Sequence, residues 1–353
     1  MNRILFLLKR REDYNAITHN HIGLSTGLYN SAKFVDNMLN RTIGFTSSLG
    51  VCIDANGIDR EVTTHYPDIC ILEALWVTPA KLGELARLHP SVTWIVRLHS
   101  ELPFMANEGI AMDWLGDYAK IDNVFIGINA PRMLREMQVY LGKDKTLYLP
   151  NYYTENLKPI TGRDIELLKV KKQLDIACFG AIRPLKNHLV QAVAAIEFTE
   201  KIGKTVNFHI NAGRVEMNGA PALNNLNGLF QQVYDRGHRL TVHQWTPQEQ
   251  FLDLCAEMDI GMQVSFSETF NIVCADLVSQ GVPVVGSAEI PWLSTHLAHP
   301  DPTDSDAIAK ALKDAYNFPW LNVWLNQRSL KQYIRNTQKV WSKELNGLEK
   351  RNV

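Results

Sequence analysis

The chain carries no excess of either charge: 36 Lys and Arg face 37 Asp and Glu, a formal net charge of −1 over 353 residues. That balance excludes a strong overall attraction to nucleic acid but permits a local basic face. Long apolar runs are also missing, and nothing approaches the ~20 residues that a helical membrane span requires. Ile4–Leu8 is too short for a secretory signal and runs at once into Lys9-Arg10-Arg11-Glu12-Asp13. The five cysteines (Cys52, Cys70, Cys178, Cys255, Cys274) are odd in number and lack close pairing or metal-ligand spacing. A disulfide scaffold and a zinc cluster both fall away, and reduced core thiols in a cytoplasm are expected. No period of about 20–50 residues recurs, so the chain is not a solenoid. There is no GxGxxG, so a dinucleotide site has no support. With 46% hydrophobic and 21% charged residues, what remains is a soluble globular protein long enough for two domains.

What is present is strand–helix alternation, twice over. Ile4–Leu8, Leu49–Ile53, Ile69–Leu75, Val92–Leu98 and Val124–Ile128 read as buried parallel strands, separated by helical patterns such as Thr26–Leu39, Pro79–Leu88 and Pro131–Leu141. Leu147–Asn151 reads as a last short strand, and the Pro-, Gly- and charge-containing stretch after it has weak periodicity. The alternation then restarts with strands at Asp175–Phe179, Val206–Ile210, Leu240–Gln244, Ile260–Val264 and Pro283–Val285. Helices fall near His188–Ile202, Leu223–Arg236, Gln248–Met258 and Thr269–Gln280. The expected division is a first Rossmann-like domain over 1–152, a linker over 153–172, a second such domain over 173–323 and a helical tail over 324–353.

The stretch Ser265–Ser287, SFSETFNIVCADLVSQGVPVVGS, organises the second half. Glu268 reads as standing at a loop-to-helix junction, and Asp276 follows eight residues later, which on a helix puts both carboxylates on one face. Phe270, Ile272, Val273 and Leu277 bury the opposite face, Gly281 ends the helix, and Val282-Pro283-Val284-Val285 starts a strand. Carboxylates accept from paired hydroxyls, and a helix start offers free N–H groups to an anion, so the pattern suits a polyhydroxylated ligand. Two solvated helix acids would be the bland alternative. Earlier, Gly180-Ala181-Ile182-Arg183-Pro184-Leu185-Lys186-Asn187-His188 follows a strand and leads into a helix. A forked guanidinium, a point-charge ammonium and helix-start N–H groups together suit a diphosphate.

These two stretches resemble the donor site of retaining, nucleotide-sugar-dependent glycosyltransferases of the GT-B class, family 4-like. The resemblance implies an α/β fold of two Rossmann-like domains whose parallel sheets face each other across a cleft. It implies a Gly…Arg…Lys loop that holds the donor diphosphate, here Gly180, Arg183, Lys186 and Asn187. It also implies an acidic signature in which Glu268 binds the donor sugar and Asp276 the ribose, with Thr269, Phe270 and Asn271 beside them. Asp276 replaces the family's usual Glu, and Thr269 and Asn271 stand where glycines are common. Asn tolerates left-handed backbone angles, so position 271 can keep the turn. Pro150-Asn151 matches the family's interdomain strand ending. The donor base is expected near Asn211-Ala212-Gly213-Arg214 and His243-Gln244-Trp245-Thr246, where Trp245 either stacks on a base or packs in the core.

On the acceptor side, Gly23 and Gly27 flank a Ser-Thr helix cap, and the resemblance makes this the glycine-containing loop facing donor phosphate and acceptor. His99 and Glu101 close the fourth strand. His99 is either a packing histidine or the group that orients a sugar or acceptor hydroxyl, and either residue is the candidate base if the reaction inverts. In the family, retention needs no dedicated base. Arg328, Lys331, Arg335, Lys339 and Lys343 form one stripe on a helix over Trp324–Leu348. That stripe is a solvated face or, with Lys9, Arg10, Arg11, Arg132 and Arg135, a surface for a polyanionic acceptor such as DNA. Asp304-Ser305-Asp306 precedes a helix and reads as a cap, so no metal is assigned.

The first half also resembles glycosyltransferases encoded by tailed bacteriophages, through Glu73-Ala74-Leu75-Trp76-Val77, Trp94–Glu101 and Asn107–Trp114. That resemblance implies a 5-hydroxymethylpyrimidine of phage DNA as acceptor, the base being extruded or reached in a groove. The expected donor is a nucleotide sugar, taken as a UDP-sugar, with no prosthetic group. The same chemistry on a glycan, lipid or small acceptor remains open, as do a catalytically silent sugar-nucleotide binder and a phosphorylase or epimerase of similar fold.

Overall fold

The structure, a computed structural model, describes residues 2–9, 26–154, 156–213, 215 and 219–348. Arg10, Arg11, Gly23 and Arg214 lie outside them. The chain divides into two compact units, Met1–Thr154 with Ile334–Val353, and Glu155–Tyr333.

Unit 1 contains β1 (Asn2–Lys9), α1 (Thr26–Asn40), β2 (Phe45–Cys52), α2 (Gly57–His65), β3 (Ile69–Glu73), α3 (Pro79–Leu88) and β4 (Thr93–Leu98). It continues with α4 (Leu102–Met105), α5 (Ala111–Ala119), β5 (Val124–Ile128), α6 (Pro131–Leu141) and β6 (Thr146–Tyr148). The six strands form one parallel sheet in the order β2-β1-β3-β4-β5-β6. The strands are apolar at successive positions because both faces are covered. Leu5, Leu7, Cys70, Leu72, Trp94 and Val96 belong to one buried cluster, while Ile4, Phe6, Ile69, Ile71 and Ile95 belong to another. The second strand begins four residues earlier than its apolar letters indicate, since Phe45–Ser48 pairs with Asn2–Leu5 despite its polar side chains.

Unit 2 contains α7 (Gly162–Val170), β7 (Gln173–Ala177), α8 (His188–Lys201), β8 (Thr205–Asn211), α9 (Ala220–Gln232), β9 (Arg239–His243) and α10 (Gln248–Ala256). It continues with β10 (Ile260–Gln263), α11 (Ile272–Ser279), β11 (Val284–Gly286), α12 (Ser305–Asn317) and the start of α13 (Pro319–Leu348). Its parallel sheet has the order β11-β10-β7-β8-β9. The stretch expected as a linker contains α7. Thr161 and Asp164 form a reciprocal capping box there, and Lys169 Nζ donates to Tyr316 O at 2.6 Å. The cap, the Lys169 anchor and the buried Leu168 hold a helix whose apolar periodicity is weak. Asp304 accepts from Ala307 N at 3.1 Å and caps α12.

Helix α13 is five residues longer at its start than the sequence pattern indicates. Its last turns belong to unit 1, where Trp341, Leu345 and Leu348 are buried with Ile4, Phe6 and Leu149. Trp341 Nε1 donates to Pro150 O at 2.7 Å. No described helix is long and apolar enough to cross a membrane.

Candidate functional site

In unit 2 the chain runs outward from β7 through β8 to β9, then returns to place β10 on the other side of β7. Ligands of open α/β sheets settle outside the carboxyl ends of strands at such a reversal. The loops leaving these two strands carry Lys186 and Glu268. Lys186 Nζ donates to Glu268 Oε1 at 2.5 Å, and the two residues are only 8% and 7% exposed. Among the described residues, no other side chain hydrogen-bonds the Lys186 ammonium.

The first loop is held by its backbone and by side-chain clamps. Gly180 takes φ +122°, which a side chain would oppose. A short 3-10 turn, Pro184–Lys186, follows, and Asn187 adopts φ 58° before α8 begins at His188. The Asn187 amide donates to Val264 O at 3.1 Å and Pro302 O at 2.6 Å. Gln191, fully buried, donates to Lys186 O at 2.8 Å and accepts from Val264 N at 2.8 Å. Asn187 therefore acts through its side chain as a clamp that fixes the loop. Arg183 is half-buried at the head of the 3-10 turn.

The second loop is fixed the same way. Gln263 donates to Phe179 O at 2.9 Å and accepts from the Asn271 amide at 2.8 Å. Asn271 sits at φ 59°, and its Oδ1 accepts from Cys274 N at 2.9 Å, capping α11. The expectation that Glu268 and Asp276 share a helical face needs correction. The left-handed cap stops the helix at Ile272, so Glu268 lies in the preceding loop and only Asp276 is helical. Both carboxylates are buried, Asp276 at 4% exposure with an amide hydrogen bond from Gln248 at 3.3 Å, so neither is a solvated helix acid. The Phe270 ring, 1% exposed, packs against Trp292 and Tyr333, so a ligand contact at this residue falls to its backbone. Thr269 beside it is half-buried.

The segments expected near a donor base come together. Ala212 N donates to His243 O at 3.2 Å, and a Cβ on Gly213 would lie 3.0 Å from Trp245 N, which only glycine accommodates easily. Trp245 is 40% exposed, so its ring is not core packing. Sequence reasoning passed over His188, the first residue of α8. It is 2% exposed, and neither ring nitrogen has a hydrogen-bond partner among the described residues. Burial, reinforced by Lys186 and Arg183, drives its imidazole down to about 3. Burial pushes the nearby Cys178 thiol up to about 12, leaving it inert.

In unit 1, His99 and Glu101 part company. His99 Nε2 hydrogen-bonds Glu73, while Glu101 is paired with Arg132. Arg132 is thereby engaged within the fold, whereas Lys9 and Arg135 are exposed. Glu73 is fully buried, and its register partner Arg97 holds it with contacts of 3.1 and 3.2 Å. Arg97 also donates to Leu149 O at 3.0 Å and Asn151 Oδ1 at 2.6 Å, and lies 5.2 Å from the Trp341 ring centre. Burial opposes ionisation of Glu73, yet Arg97 and His99 hold its pKa below the usual range. Burial lowers that of His99. Glu73, Arg97 and Asn151 were legible only as strand ends; opposite charges at paired parallel positions were the available signal. Gly27 lies in the first turn of α1.

Structural comparison finds solved enzymes of the same build along nearly the whole chain. HepE from Anabaena, in complex with UDP and glucose, superposes with a TM-score of 0.65 at 15% identity, covering 98% of this chain and 100% of that one. Sucrose-phosphate synthase from Thermosynechococcus elongatus gives 0.67 at 13% identity, covering 99% of each chain. The fold is GT-B. The Escherichia coli trehalose-6-phosphate protein bound with UDP-2-fluoro glucose gives 0.67 at 11% identity, covering 97% of this chain and 98% of that one. No family model matches the sequence, and no curated protein matches it. At such identities the likeness concerns the GT-B fold.

Proposed function

We propose that the protein is a nucleotide-sugar-dependent glycosyltransferase that retains anomeric configuration. The observation that carries this reading is the buried Lys186–Glu268 pair at the sheet reversal of unit 2, next to the start of α8. A nucleoside diphosphate fits there. The first N–H groups of α8 and the Lys186 ammonium face the developing charge on the leaving diphosphate, with Arg183 in the same loop. Glu268 and Asp276 supply carboxylate acceptors for sugar and ribose hydroxyls. UDP and UDP-2-fluoro glucose in the structural neighbours support a uridine donor. In transfer with retention, the acceptor oxygen bonds to the anomeric carbon as its bond to the diphosphate breaks. The acceptor proton passes to the leaving phosphate on the same face. No protein base is then required, and His99, held by Glu73, orients a hydroxyl.

The acceptor reading, a 5-hydroxymethylpyrimidine in phage DNA, rests on the resemblance of the first half and on the exposed cations of α13. Arg328, Lys331, Arg335, Lys339 and Lys343 all face solvent. The test is a thermal-shift and hydrolysis screen of UDP-sugars, with and without hydroxymethylcytosine DNA. Stabilisation by UDP supports the donor site, and none would sink it. Nucleotide release accelerated by that DNA supports the DNA acceptor. Stabilisation without a DNA response moves the acceptor to a glycan or lipid.

A further inference from the structure

The unit 2 part of α13 exposes a face that the donor chemistry does not use. Trp320, Trp324, Arg328 and Lys331 are all exposed and follow one another at spacings of four, four and three, which places them in one row. Phe318 stands immediately before the helix. The three aromatics are 56%, 55% and 50% exposed, in the order Phe318, Trp320, Trp324. From Pro319 to Lys343 the sequence holds no acidic residue, so no acid lies within about three turns of the row's cations along their helix.

This face does not hold the fold together. The opposite side of α13 does: the Asn322 amide accepts from Val284 N at 2.9 Å and donates to Val284 O at 3.0 Å, closing the edge of β11. Asn326 Oδ1 accepts from Ser294 N at 3.2 Å. The helix is thus clamped from behind, with its aromatic row outward. A cavity of about 200 Å³ adjoins Phe318, lined also by Val285, Leu297, Ala315 and Leu321, with His296, Asp314 and Asn322 as polar members.

We propose that this face rests on an anionic lipid surface, with Phe318, Trp320 and Trp324 at the boundary between headgroups and acyl chains and Arg328 and Lys331 against lipid phosphates. Tryptophan favours that boundary because its ring is apolar with one polar edge, and a cation at an anionic surface gains from the surface potential. Insertion of a few aromatics plus cations yields reversible binding of a surface helix. Nucleic acid fits less well. Bases stack on open ring faces, whereas the Arg328 guanidinium already lies 5.5 Å from the Trp324 ring centre. A mainly apolar cavity is also of no use to a phosphate backbone. The proposal stands apart from the donor reading, since no residue of the row belongs to the Lys186–Glu268 site; it competes with the DNA acceptor reading for Arg328 and Lys331 and leaves Arg335, Lys339 and Lys343 to that reading.

The test is co-sedimentation of the full chain with phosphatidylcholine vesicles, with and without phosphatidylserine, at low and high salt. Binding is expected to phosphatidylserine vesicles and to weaken with salt. Trp320→Ala/Trp324→Ala and Arg328→Glu/Lys331→Glu should each weaken it about tenfold or more, with circular dichroism and melting unchanged. Because the aromatic variant removes two of eight tryptophans, Trp320→Phe/Trp324→Phe supplies a gentler control. Brominated lipid should quench wild-type fluorescence and leave that variant unquenched. UDP affinity measured alongside reports on the donor site alone. Vesicle binding that is absent, or unchanged in both double variants, overturns the proposal. So does a row whose loss alters only DNA affinity or self-association.

Discussion

Each unit buries an ionised pair near the carboxyl ends of its parallel strands, and the two pairs are built differently. In unit 1, Arg97 serves Glu73, Leu149 O and Asn151 and lies beside the Trp341 ring, so its charge is satisfied on several sides by the fold itself. In unit 2, Lys186 has the single side-chain partner Glu268 among the described residues, and the clamps around it (Asn187, Gln191, Gln263, Asn271) hold the loops rather than the ammonium. A buried charge with every nitrogen engaged by the fold is structural. One with donors to spare, at a sheet reversal and a helix start, is poised for a ligand.

The largest effect that would break this contrast is on stability. Arg97→Met leaves Glu73 buried without its cation and should cost about 3–5 kcal/mol. In chemical denaturation the midpoint should fall, while UDP affinity of the remaining folded protein stays at wild type. If affinity collapsed with stability retained, unit 1's network would be a ligand site after all. Lys186→Met should do the converse to function. Turnover of a UDP-sugar should drop about 10²–10³-fold, the loss typical of removing one donor to a developing oxyanion. Pairing it with Glu268→Gln should recover stability and not activity. Recovery of turnover in that double variant would show that the pair is structural.

Smaller changes sharpen the same comparison. Asn271→Ala loses the α11 cap and puts an alanine at φ 59°, for a combined cost of about 2 kcal/mol, whereas Asn271→Gly should lose about half that. An alanine variant as stable as the glycine variant would mean that the left-handed angle is not kept. The last effect is absent at neutral pH and shows only on acidification, as the pH slope from His188. Its folded pKa is depressed from 6.5 to about 3, so the unfolded chain binds a proton in that window and the folded one does not. Stability is therefore full above about pH 6.5 and falls by about 1.4 kcal/mol per pH unit on acidification towards 3. His188→Phe should flatten this slope, and an unchanged slope would place the titration elsewhere.

Much of this was open to a reader of the letters. The strand–helix alternation announced two parallel sheets, because strands buried on both faces must be apolar throughout. The Gly180 turn and the left-handed Asn271 are local properties of backbone and side chain, and both are found. Helix α7 was not visible, because a capping box and an anchor to Tyr316 replace the apolar stripe that periodicity detects. The N-terminus of α11 lies later than the letters indicate, because a cap three residues after Glu268 looks, in sequence, like more helix.

Pairings across long separations belong to another category. Glu73 meets Arg97 because β3 and β4 run parallel in a register that sets those positions side by side. Lys186 meets Glu268 across 82 residues because β7 and β10 are neighbours at the sheet reversal. Sequence by itself determined which residues carry charge, which angles the loops can take and which segments must be buried. Only the tertiary structure decided which charges face each other, since burial and strand order set the partner of a carboxylate and hence its charge state and its work.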